Sequence, residues 1–145
     1  MDILRRLNRY PETGRLLIPE LLSGKILDAG CGENLYKIIN SDIIGVDLES
    51  TYADINSDIS NLPFDDNTFD KVLCFGVFSD DKDICKTQVS EVLRVIKPGG
   101  IIYLRCLFDH PAITFLGHLP IYKAPVISTN INNGTSRFFI AYQYT

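Results

Sequence analysis

"ILDAGCGEN", residues Ile26 to Asn34, runs a short apolar strand straight into a glycine turn. Gly30 and Gly32 admit positive φ and carry no side chain, so a ligand can approach the backbone closely there. Turns of this kind after a strand usually cradle phosphate. Here Asp28 stands two places before the first glycine, and Glu33 stands inside the loop. A dinucleotide turn, GxGxxG, also needs a third glycine, and that position holds Leu35. Two carboxylates beside a pyrophosphate in a low-dielectric cleft would cost on the order of several kcal/mol. The loop therefore suits a ligand whose nearest groups are positive.

Around this loop the chain alternates strand and helix signals, which predicts an α/β fold with a mostly parallel sheet. Asp2 to Arg9 reads as a short helix stopped by Pro11. Arg15 to Leu22 reads as a second, with Leu16, Leu17 and Leu21 inward and Ser23-Gly24 closing it. Lys25 to Ala29 is a buried strand, followed by a cramped helix over Leu35 to Ile39. Ile43 to Leu48 is the next strand, its continuous apolar start typical of a sheet covered on both faces. Tyr52 to Ile55 reads as a vestigial third strand or an extended connection. Asp70 to Phe75 is again a buried strand. Asp80 or Asp81 caps a helix running to Ile96, with Ile84, Cys85, Val89, Val92, Leu93 and Ile96 on one stripe. Pro98-Gly99-Gly100 stops that helix, and Ile101 to Leu107 is a strand. Val126 to Ile131 and Ser136 to Tyr144 flank Asn133-Gly134, a strong hairpin signal. Asn133-Gly134-Thr135 also matches a glycosylation sequon, but it reads as a turn.

A chain of 145 residues, 46% hydrophobic and 22% charged, can bury one core covered on two faces. A single domain over residues 1–145 is expected: N-terminal helices over 1–24, a ligand-binding core over 25–107, and a C-terminal hairpin with the acceptor side over 108–145. The net charge of −4 disfavours a general nucleic-acid binder. From Asp42 through Asp70 there are eight acidic residues and no Lys or Arg. From His110 onward there is no Asp or Glu, only Lys123 and Arg137. The N-terminal stretch carries Arg5, Arg6, Arg9, Arg15 and Lys25. It lacks the apolar run of a signal peptide, and no stretch approaches the roughly 20 apolar residues of a membrane span. Cys31, Cys74, Cys85 and Cys106 form no CxxC pair, and neither they nor His110 and His118 propose a metal cluster. Scattered thiols of this kind fit a cytoplasmic protein.

A zwitterion bearing an ammonium and a sulfonium is the ligand that carboxylates would welcome, and S-adenosyl-L-methionine is such a molecule. Four ordered stretches carry a matching resemblance. "ILDAGCGEN" follows the pattern VLDxGCGxG through Gly32. "IIGVDLES" sets an acid at the end of a second strand. "SDISNLPFDDNTFDKVLCFGV" follows GDAxxLPFxDxSFDxVxxxxV, and "EVLRVIKPGGIIYL" follows ExxRVLKPGG. "YPETGRLLIPELL" resembles a stretch that precedes the first pattern in some members. Over about Tyr10 to Leu104 the chain resembles the class I, Rossmann-like S-adenosylmethionine-dependent methyltransferases, in particular the type 11 family. The resemblance implies a three-layer α/β sandwich with strand order 3-2-1-4-5-7-6, strand seven antiparallel, ending in the hairpin. It implies that Asp28 organises the loop and holds the ligand's ammonium through water. Gly30, Cys31 and Gly32 offer backbone to the methionine part. Asp47, with Leu48 beside it, accepts the two ribose hydroxyls, and Asp58 accepts the adenine amino group with Ile59 against the ring. Cys74 and Phe75 line the methionine side, and Arg15 partners its carboxylate.

The chain departs from the family where it is short. Only twelve residues separate Gly32 from Gly45, and Asp47 to Asp58 leaves room for little beyond a turn. The third strand is expected to be reduced or absent and the cofactor more exposed. The Asn/Asp-Pro-Pro-Tyr pattern of enzymes methylating planar amino groups is missing after Leu73, where "CFGVFSDDKD" stands. Asp80, Tyr103, Asp109 and His110 fall near strand ends where an acceptor could sit. His110 is the best base candidate by its ordinary pKa, against a bland role capping the turn before Pro111. A small molecule or protein side chain is the favoured acceptor; the basic N-terminus keeps RNA in view, and an oligomer or partner subunit is not excluded. Two rival readings are a non-catalytic S-adenosylmethionine-binding module and an NAD-dependent oxidoreductase, the latter disfavoured by Asp28 and the missing third glycine.

Overall fold

The computed structural model describes residues 3–145, and within them every side chain except those of Glu12, Arg15, Leu16 and Ser128. The helix start expected at Asp2 and the inward Leu16 therefore lie outside the described residues. Ten main elements follow in order: α1 (Ile3–Arg9), α2 (Pro11–Leu17), β1 (Ile26–Ala29), β2 (Ile44–Val46), β3 (Phe69–Phe75), α3 (Lys82–Val95), β4 (Ile96–Cys106), α4 (Pro111–Leu116), β5 (Ile121–Thr129) and β6 (Ser136–Gln143). α1 ends at Arg9 ahead of Pro11, as expected, but Pro11 also begins a new helix. It opens α2 from the first turn, where its missing N–H costs nothing. Ile18–Leu22 and Leu35–Ile38 are short 3-10 turns, so the cramped segment after the glycine loop never becomes an α-helix.

The sheet order is β2-β1-β3-β4-β6-β5. The first four strands are parallel, and β6 runs antiparallel between β4 and β5. This is the Rossmann-like order with its third strand lost. All that remains of that strand is one parallel bridge from Ile55 to Val46. One face of the sheet packs on α3 and α4 through Val72, Cys74, Val89, Val92 and Leu116. The other packs on α1, α2 and the 3-10 turns through Leu7, Leu17, Leu21, Tyr36 and Phe139. Within α3, Cys85, Val89 and Val92 face inward as the periodicity requires, but Ile84 is exposed and Gln88 and Val95 take the buried positions. Asp81 is the N-cap of α3, its Oδ1 accepting the N–H groups of Asp83 and Ile84 at 3.0 Å each. The hairpin is longer than its turn signal suggested. β5 begins at Ile121, and Gly134, at φ 72°, closes a loop in which Asn130 and Thr135 pair. The helix α4 was not anticipated.

Two distant stretches are clipped together from α3. Arg94 donates to the carbonyl oxygens of Leu62 (2.9 Å) and Phe64 (2.7 Å), to Asp66 Oδ1 (2.9 Å) and to both oxygens of Glu91. Glu91 in turn accepts the Leu62 N–H at 2.8 Å. The guanidinium fork thus serves two backbone carbonyls that no strand or helix satisfies. Arg94→Ala is expected to lower the unfolding free energy by roughly 1.5–3 kcal/mol, the range for charge-assisted hydrogen bonds. Arg94→Lys should recover less than half, because an ammonium cannot reproduce the fork. Urea unfolding of the three proteins at equal pH and salt measures both differences.

Candidate functional site

The winding of the sheet reverses between β1 and β3, and a cleft opens there at the carboxyl ends of the strands. Its volume is about 310 Å³. Gly30 enters it from β1, Asp47 and Leu48 from β2, and Gly76 and Val77 from β3. Asp58 and Ile59 close it from the loop that Arg94 clips, and Gln88 closes it from α3. Gly30 stands at φ 72°, and a Cβ there would come within 2.5 Å of Val77 Cγ2. Only glycine keeps that wall open.

The glycine turn is fastened to the end of β2. The Val46 carbonyl oxygen accepts the N–H groups of Gly30 (2.8 Å) and Cys31 (2.9 Å). Asp47 Oδ2 accepts the Gly32 N–H at 3.1 Å, while Oδ1 accepts those of Glu49 and Ser50, each at 3.1 Å. Partial burial works against ionisation of Asp47, but these three N–H groups outweigh it and hold the carboxyl below its usual range. Oδ2 keeps one lone pair for a ligand. Asn34, in the left-handed region at φ 58°, lays its amide across Gly45, whose Cβ would fall 2.2 Å from Asn34 Oδ1. That packing fixes the loop without a following α-helix, so no helix N-terminus stands ready for a pyrophosphate. Asp58 is exposed and spends Oδ1 on the Ser60 N–H at 2.8 Å. The cleft lining includes two carboxylates and, among the described residues, no Lys or Arg.

A methyltransferase domain family model matches residues 27–104. The chain belongs to that family. Over 56 residues this methyltransferase-domain chain is 46% identical to the demethylmenaquinone methyltransferase of Streptomyces avermitilis, across 37% of this chain and 22% of that protein. The matches span only 22–31% of the curated relatives' lengths. Among solved structures, the N-methyltransferase NodS of Bradyrhizobium japonicum superposes with a TM-score of 0.77 at 14% identity, over 99% of this chain and 98% of NodS. The 1,6-didemethyltoxoflavin-N1-methyltransferase of Burkholderia thailandensis, solved with S-adenosylhomocysteine, gives 0.74 at 14% identity, over 95% of this chain and 78% of that one. These two likenesses establish the fold.

The methyltransferase-domain cleft brings together Gly30, Asp47, Leu48, Asp58 and Ile59 of the residues expected there. Cys31 and Gly32 belong to the same turn but do not line it. Cys74 and Phe75 do not line it either. Cys74 points into the α3 face and is fully buried, and Phe75 turns to the other face against Tyr36 and Phe139. The strand reaches the cleft only at the next two residues, Gly76 and Val77. Arg15's side chain lies outside the described residues. Tyr103 is buried beside Phe139, away from the cleft. His110 caps α4: its Nδ1 accepts the Ala112 N–H at 3.0 Å, and its Nε2–H donates to the Phe78 carbonyl oxygen at 3.1 Å. With both nitrogens engaged it offers no free base. Asp80, at 3.4 Å from Nε2, and Asp109 are exposed. The four cysteines are buried free thiols. Burial pushes Cys31 up to about 12, so it is no nucleophile.

Asp28 lies behind the turn rather than in the cleft, 1% exposed, on the α1 face of β1. Arg6 meets it there with Nη1 3.5 Å from Oδ2, and donates from Nη2 to the Cys31 carbonyl oxygen at 2.5 Å. Burial pushes the Asp28 carboxyl up to about 6, against the pull of Arg6. A carboxyl raised in the folded state binds its proton more tightly there than in the unfolded chain. The stability it contributes is complete below about pH 4 and is lost as pH rises through about 6, a span worth up to ~3 kcal/mol. Asp28→Asn should flatten that part of the curve, which thermal melts between pH 4 and 7 would reveal.

Proposed function

We propose that this chain binds S-adenosyl-L-methionine in the cleft at the ends of β1, β2 and β3 and transfers its methyl group to a small acceptor. The observation carrying this reading is the charge of the cleft. Asp47 and Asp58 line it without a basic residue among those described. That donor set suits an uncharged nucleoside with a cationic tail and repels a diphosphate. Family membership and the S-adenosylhomocysteine held by the Burkholderia relative point the same way.

In this reading the remaining lone pair of Asp47 Oδ2 accepts a ribose hydroxyl. Leu48 and the buried Ile59 flank the purine, and the free oxygen of Asp58 accepts from its amino group. The bound cofactor supplies an electrophilic methyl whose transfer leaves a neutral thioether. Alignment by the Gly76–Val77 wall then does most of the chain's catalytic work, since among the described residues the cleft lining holds no His or Lys and its two carboxylates are taken by the cofactor in this reading. A non-catalytic binding module is the second reading. The three-residue β2 at the sheet edge leaves the adenosine wall thin.

Asp47→Ala should weaken S-adenosylhomocysteine by about tenfold to a hundredfold, the scale of 1.5–3 kcal/mol of charged hydrogen bonding. It should also loosen the turn. Calorimetric titration of a folded variant with unchanged affinity would remove Asp47 from the site. In thermal-shift assays S-adenosylhomocysteine at 100 times its dissociation constant should stabilise the fold by ~2.7 kcal/mol, and NAD should not. A screen for methyl transfer from labelled cofactor separates enzyme from module.

A further inference from the structure

A second hollow, of about 230 Å³, opens beside the cleft and shares the Gly76–Val77 wall with it. Two arginines line it. Arg105, near the end of β4, has its guanidinium carbon 4.3 Å from the Tyr10 ring centroid and 4.9 Å from that of Phe75. Held between two rings, the fork is stiff and poorly hydrated. It makes no hydrogen bond or ion pair with a described residue. Among the described residues, Arg137 donates only to the carbonyl oxygen of neighbouring Ser136, at 3.3 Å. Among the described residues, the lining's one acid is Asp80, whose side chain is 95% exposed and stands against His110.

The charge here is thus opposite to that of the cleft. A half-buried cation with no carboxylate partner among the described residues is costly, and an incoming anion relieves that cost. Burial, together with the like charges of Arg6 and Arg137, holds the Arg105 guanidinium below its usual range. Besides Arg105, Arg137, Asp80 and His110, the lining is apolar or glycine. Leu107 lines the hollow and is exposed, and Phe108 beside it meets the Phe138 ring at a tilt, centroids 5.5 Å apart.

Resting on the methyl-transfer reading, we propose that this hollow binds the acceptor by an oxyanion, a carboxylate or phosphate monoester on an apolar body. Arg137 and Arg105 are its partners, and Leu107 and Phe108 lie against the body. The cationic cofactor and the anionic acceptor are thereby sorted to the two sides of one glycine-valine wall.

The test titrates the protein, free and with S-adenosylhomocysteine, against benzoate, 1-naphthoate and phenyl phosphate, and against benzamide and 1-naphthamide, by calorimetry and saturation-transfer NMR. The acids should bind more tightly than the amides by about tenfold or more, and added salt should weaken them. Benzoate against phenyl phosphate tells which oxyanion is preferred. Arg137→Gln, on a partly exposed strand position, should cost the acids about tenfold and leave S-adenosylhomocysteine affinity unchanged. Arg105→Lys retains the charge but not the fork, and should weaken the acids while the protein stays folded. Amides that bind as well as acids, or an Arg137→Gln protein that binds the acids undiminished, would overturn the proposal. Failure of S-adenosylhomocysteine itself to bind would instead strike the cofactor reading, and is read out separately.

Discussion

One carbonyl oxygen holds the site together. Val46, the last residue of β2, accepts the N–H groups of both Gly30 and Cys31, and the next residue fastens Gly32 through its carboxylate. The glycine turn is therefore not a free loop but an extension of the β1–β2 ladder. Its position defines the floor of the cleft. In a fold with a full α-helix after the turn, that helix would share the task. Here a four-residue 3-10 turn follows, and the burden falls on β2.

β2 is itself short and lies at the sheet edge, where unpaired backbone groups invite trouble. The stub of the missing strand satisfies them. Gly45 donates to Asp54 Oδ2 at 2.7 Å and accepts from the N–H groups of Asp54 and Ile55. Lys37 holds Asp54 from the other side, at 2.9 Å. Partial burial opposes ionisation of Asp54, but its hydrogen bonds keep the carboxyl below the usual range. Asp54, Ile55 and Lys37 thus stand in for an absent strand and helix, at the expense of a thin wall around the cleft.

Charge is arranged in layers across the carboxyl ends of the strands. Asp47 and Asp58 face the cleft, Arg105 and Arg137 face the neighbouring hollow, and Arg6 with Asp28 sits behind the turn. Arg6 also lies 4.8 Å from the Tyr36 ring centroid, so α1 is docked by a cation held among an acid, a carbonyl and an aromatic face. The same acidic middle and acid-free C-terminal stretch are visible along the chain, but their consequence depends on which side of Gly76–Val77 each residue falls.

The order of elements, the parallel sheet, the closing hairpin and the family patterns were legible because they rest on local chemistry: apolar period, caps, glycines and turn residues recur at fixed short spacings. Gly30, Asp47, Leu48, Asp58 and Ile59 were legible as a group because strand ends and the turns beside them must face the same crevice. "LPFDD" and "EVLRV" were legible as parts of two separate family patterns, and their connection through Arg94, which serves two carbonyls, needed the fold. The side-chain facing at the end of β3 was beyond sequence reasoning. With a period of two, an offset of one residue turns a side chain to the other face, so Cys74 and Phe75 went to two cores while Gly76 and Val77 reached the cleft. The engaged nitrogens of His110, the buried meeting of Asp28 with Arg6, and the seating of the Arg105 guanidinium between the Tyr10 and Phe75 rings were decided by packing between segments far apart along the chain. Burial and partner, rather than residue type, set what each of those charges can do.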